Sequence, residues 1–85
     1  MTAQIISLRP PLPSLAPHPH ASPFRVMVFA WQGKGWSLVD LMEPLPAYKR
    51  QILRFARGTA RYEQKQGRWA FVVVQCGHQL REVPL

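Results

Sequence analysis

Arg50, Arg54, Arg57, Arg61 and Lys65 recur every three or four residues. At ~100° per residue that spacing places all five on one stripe of a helix. The arginine guanidinium is a planar, permanently charged fork that grips phosphate or carboxylate through paired hydrogen bonds, and five of the seven cations between Lys49 and Arg68 are arginine. A solvated helix face normally mixes both signs of charge. Here only Glu63 is acidic, and its wheel position lies toward the apolar side. The cations of such a row repel one another mildly unless salt or an anionic partner offsets them. The stripe therefore predicts contact with an anionic surface.

A second cationic feature is Lys34, set in Gly33-Lys34-Gly35 between Trp31 and Trp36. A cation held between aromatics at a hairpin end suits stacking on bases or anchoring in an interface, although tryptophans beside a turn also close hairpins by cross-strand packing. Trp69 is assigned to the core. The Gly-Lys-Gly tip is not a phosphate loop, because it lacks both the long glycine-to-lysine spacing and the Ser or Thr after the lysine.

Other reactive side chains do not assemble into a catalytic pattern. Cys76 and His78 share one turn, but a structural zinc needs four ligands, and His18 and His20 sit in a proline-rich segment with no second cysteine. A cysteine nucleophile needs a positioned base and an oxyanion site in a cleft, which a tight turn does not supply. The carboxylates Asp40, Glu43, Glu63 and Glu82 fall on three elements, so nothing in their spacing pairs them for acid–base or magnesium chemistry. The expectation is a non-enzymatic protein with no catalytic residues, no metal site and no cofactor.

The chain has 85 residues, 47% of them hydrophobic, with nine prolines and a formal charge of +7. That length bounds it to one domain with a modest core, and the charge favours polyanionic partners. One cysteine excludes an intrachain disulfide. No apolar run approaches ~18 residues, and no basic start leads into an apolar stretch, so a soluble cytoplasmic protein without a membrane partner is expected.

Six prolines between Arg9 and Pro23 exclude helix and central strand, which makes residues 1–23 an arm, with Leu8, Leu12 and Leu15 spaced along it. Residues 24–85 form the folded domain. Strands are predicted at 24–31 and 36–42 around the glycine-bearing turn, and at 69–75 and 79–83 around Cys76-Gly77-His78. A capped helix starting near Ser37 is the weaker alternative for the second segment. Pro46 opens a helix over residues 46–66, Gly67 ends it, and Gly58 marks a place where it could bend or break. The greasy side of this helix reads as Tyr48, Ile52, Phe55, Ala56, Thr59 and Tyr62, with Ile52, Phe55 and Ala56 packing on strand 69–74.

The order β-β-α-β-β predicts an α+β domain: a four-stranded antiparallel sheet with the basic amphipathic helix on one face. Strands 24–31 and 69–74 are apolar on both alternating sides, as strands buried on both faces are. One helix covers one face. The other requires the arm, a second copy of the chain in a homodimer, or a foreign partner.

Two functions fit this sequence. The first is a nucleic-acid-binding protein whose stripe contacts phosphates, with Trp31, Lys34 and Trp36 adding stacking. The second is an inhibitor or adaptor docking on an acidic protein site, of the kind phages and mobile elements encode against defence complexes. Nucleic-acid binding predicts exposed aromatics beside the stripe, whereas protein docking predicts an exposed apolar patch on the sheet face away from the helix.

Overall fold

The computed structural model describes residues 9–19 and 24–85. Leu8, His20 and the other residues of 1–8 and 20–23 lie outside that description. The elements are β1 (Phe24–Trp31), β2 (Trp36–Met42), a 3-10 turn (Pro46–Tyr48), α1 (Lys49–Lys65), β3 (Ala70–Cys76) and β4 (Gln79–Val83). The fold is α+β: one antiparallel sheet in the order β2-β1-β3-β4, with α1 leading from edge strand β2 across to the inner strand β3. Trp36–Met42 is strand rather than helix. β3 sits one residue later than the sequence pattern indicates, which leaves Trp69 outside the strand and 42% exposed rather than in the core.

Turn chemistry sets the register. Gly77 and His78 join the partnered pair Cys76 and Gln79, and Gly77 takes the positive φ (61°) that a two-residue hairpin turn needs at its first position. On β2, Val39 is an extra residue, since Val28 faces Asp40 while Phe29 faces Leu38. This bulge lies in an edge strand, where such irregularities discourage pairing with another chain.

Pro46 begins the 3-10 turn that leads into α1, where its missing N–H costs nothing. The helix then runs through Gly58 without interruption. It ends on Gly67, whose N–H donates to the Gln64 carbonyl (3.0 Å) while the Arg68 N–H reaches back to the Glu63 carbonyl (3.1 Å). That pair of bonds with a positive φ at Gly67 is the Schellman arrangement, and it satisfies two carbonyls that the helix leaves open.

The helix buries a different meridian from the expected one. Ala56 and Ala60 are its fully buried residues, packed with Phe24, Val26, Val28, Ala30, Ala70, Val72 and Val83 and flanked by Ile52 and Leu53. Phe55 and Tyr62 are each 58% exposed, and Tyr48 is exposed as well. The physical reason is close approach. Two alanines one turn apart let the helix backbone settle on the valine-rich sheet, and the larger aromatic rings are rotated away from the contact.

The opposite sheet face holds a second apolar cluster, Phe29, Phe71 and Val73, with Met27, Trp36 and Leu80 packed against it. Phe29 and Phe71 are register partners with rings stacked at 5.2 Å. The proline-rich arm crosses this face. Arg9 places its guanidinium over Phe71 (5.4 Å) and pairs with Glu82 (3.1 Å), and the Trp36 indole N–H donates to the Pro11 carbonyl at 2.7 Å. Further along, Leu12, Pro13 and Leu15 border a crevice of about 230 Å³ with Phe71, Val73 and Leu80. The arm, one of the covers the sequence required, lies against Trp36 and the β3–β4 side of this face, while Leu38 and Leu41 of β2, register partners of Phe29 and Met27, remain exposed.

Candidate anion-binding surface

The buried meridian of α1 fixes what faces outward. Arg50, Arg54, Arg61 and Lys65 are exposed and Arg57 is half-buried. Arg50, Arg54, Arg57 and Arg61 line one shallow groove of about 430 Å³ with Leu53 at its apolar side. At 1.5 Å rise per residue, successive cations stand ~4.5–6 Å apart along the axis, so a chain of anions can meet them in sequence.

The charge of this groove is not cancelled from within. Glu43 lies 3.8 Å from Arg25, Glu63 pairs with Arg68 at 2.5 Å, and Glu82 pairs with Arg9. Asp40 accepts the Leu41 backbone N–H at 2.9 Å. Those four are all the acidic side chains of the sequence, so among the described residues each is engaged away from the stripe. Within the groove, Arg57 Nε is shielded from solvent and has no hydrogen-bond partner among the described residues, a state it shares with Nε of Arg25 on β1. A buried donor of this kind is costly unless something accepts from it.

The tip residues are disposed differently. Trp31 meets Trp36 edge-on at 5.4 Å, and Trp36 meets Phe71 edge-on at 4.9 Å. Trp36 thus belongs to the arm-side cluster, across the sheet from α1. The structure brings Arg50, Arg54, Arg57 and Arg61 together in one groove, leaves Lys65 exposed one turn beyond Arg61, and does not bring the tryptophan pair to them. Lys34 is exposed at the turn between.

What the sequence reading missed is a second row on the same helix. Phe55 and Tyr62 lie outside the core, separated from the arginines around the helix by Gln51 and Gly58. The signal was present in Ala56 and Ala60 flanked by Ile52 and Leu53, which centres the buried face away from Phe55. Gln75 was missed too: it is the buried polar residue of β3, and it holds the arm.

Cys76 is a free, exposed thiol, and no group of three or more His, Cys, Asp or Glu side chains converges among the described residues. No helix among them is long and apolar enough to cross a membrane. Comparison with protein-family models, with curated proteins and with solved structures returned no match, so the reading of this surface rests on its own chemistry.

Proposed function

We propose that this chain is a non-enzymatic binding protein that engages an anionic macromolecule, nucleic acid foremost, through Arg50, Arg54, Arg57, Arg61 and Lys65. The observation that carries this reading is that, among the described residues, every acidic side chain is engaged away from the row while Arg50, Arg54, Arg57 and Arg61 line one groove. Exposed aromatics beside the cations support nucleic acid; protein docking keeps support of its own, because Leu38 and Leu41, register partners of Phe29 and Met27, stay 48% and 40% exposed on the sheet face that the arm crosses. Binding is electrostatic and carries little sequence specificity. Trp31 and Trp36 serve the hairpin and the second cluster in this reading, and Lys34 is a separate cation.

The test is a salt titration of binding to nucleic acid by the wild type and by the double variant Arg54→Glu, Arg61→Glu, whose positions are exposed and outside the core. Log affinity of the wild type should fall with log salt at a slope of roughly −3 to −5, and the variant should lose binding while keeping its fold. Retained affinity in the variant overturns the proposal. A partner recovered from lysate that survives nuclease digestion redirects it to an acidic protein surface, the site of an inhibitor or adaptor.

A further inference from the structure

We infer that the nucleic acid this surface takes is single-stranded, with Phe55 and Tyr62 acting as stacking platforms for bases whose phosphates lie on the arginine row. The inference rests on the binding role proposed above and adds the class of strand. Two large rings are each 58% exposed on one rigid helix, next to an uncancelled cationic groove. They are seven residues apart, hence ~10 Å along the axis on nearly the same side, which suits two bases of one strand. Between the two rows lies Gly58, where a Cβ would meet nothing within 4 Å, so bare backbone forms a saddle joining rings to arginines. Thr59, next to this row, turns its hydroxyl back onto the Phe55 carbonyl (3.1 Å) and leaves the rings as the feature of that side.

A duplex can use such rings only by unstacking its base steps, at a free-energy cost for each step. Its base faces are covered by their neighbours, and only edges are presented in the grooves. A single strand offers free base faces beside its phosphates, and aromatic platforms flanking a cationic track are how proteins bind it with little regard to sequence. The charge complementarity of the row selects a polyanion, and the exposed rings select one with open bases.

The experiment is fluorescence anisotropy at one fixed salt concentration with an oligothymidylate of about 12 nucleotides and a duplex of about the same length, a span within the range of single-strand site sizes. The proteins are the wild type, Phe55→Ala, Tyr62→Ala and Tyr62→Phe, with circular dichroism as the check on fold. The wild type should bind the single strand more tightly. Each alanine variant should lose roughly ten- to a hundredfold on the single strand with duplex affinity held within about twofold, and Tyr62→Phe should behave as wild type. Equal wild-type affinity for both probes, equal losses on both, or a Tyr62→Phe loss matching that of alanine overturns the single-strand assignment and leaves the arginine row standing. Failure to bind either probe overturns both readings.

Discussion

The side chain of Gln75 pairs with the backbone of His18 much as a neighbouring strand would: Nε2 donates to the His18 carbonyl and Oε1 accepts the His18 N–H, both at 3.1 Å. Nε2 also donates to the Gly77 carbonyl at 2.8 Å. Gln75 is 1% exposed, and a buried amide is tolerated in an apolar strand only when its donors and acceptor are used in this way. One end of the arm is thereby fixed beside the β3–β4 turn. The other is held by Trp36 on Pro11 and by Arg9 on Glu82.

Gln75→Leu keeps the volume and removes all of these bonds. The loss should be about 1–3 kcal/mol in urea unfolding, since the amide's partners become unpaired beside an apolar group. The same variant should be cut faster by protease within residues 9–19, because the arm has lost its anchor. Unchanged cleavage would mean that Trp36 and Arg9 hold the arm without it.

The alanine contact of α1 makes two opposed expectations. Ala60 has no exposed surface, so Ala60→Leu forces the helix off the sheet and should destabilise by about 1–3 kcal/mol. Phe55→Ala removes a ring that stands mostly in solvent and should stay within about 0.5 kcal/mol. Thermal unfolding of the two variants beside the wild type checks both. A large loss for Phe55→Ala would restore the packing that the sequence pattern suggested.

The elements were legible because strong local signals agreed: β-branched and aromatic runs for β1 and β3, glycine at the turns, proline before the helix and glycine after it. The helix rotation was not. Hydrophobic periodicity weights large side chains, whereas the buried meridian was set by the small ones, Ala56 and Ala60, through how closely two backbones could approach. The need for a second cover was readable from the two-sided strands, but the arm's attachment depends on Gln75 reaching across 57 residues of sequence, and pattern carries no such pairing. The cations of the stripe were legible as a set. That the acids were engaged elsewhere was not, because ion pairs such as Arg9–Glu82 are made by the fold.

Two glycines should respond to alanine with opposite sign. At Gly67 a Cβ meets nothing within 4 Å, so the cost comes from its φ of 85° alone. Gly67→Ala should destabilise by about 1 kcal/mol, a fall of about 4–8 °C in Tm for a domain of this size. Gly58 lies mid-helix with ordinary geometry and open space, so Gly58→Ala should stabilise by about 0.5–1 kcal/mol. Differential scanning calorimetry reads both shifts.

The arginines themselves divide into two groups whose members should differ in the salt dependence of binding. Arg50, Arg54 and Arg61 have no carboxylate partner among the described residues, whereas Arg68 is paired with Glu63 at 2.5 Å. Each unpaired arginine that neutralises a phosphate releases its condensed counterion, so single Arg→Ala variants at 50, 54 and 61 should each make the log–log salt slope shallower by roughly 0.7–0.9. Arg68→Ala lowers the net charge equally but removes a guanidinium already held by a carboxylate, and its slope should match that of the wild type. The comparison separates local contact from overall charge, because a protein bound only by its net positive field would respond alike to all four substitutions. Equal slope changes at Arg54 and Arg68 would refute a contact surface on the outer face of α1.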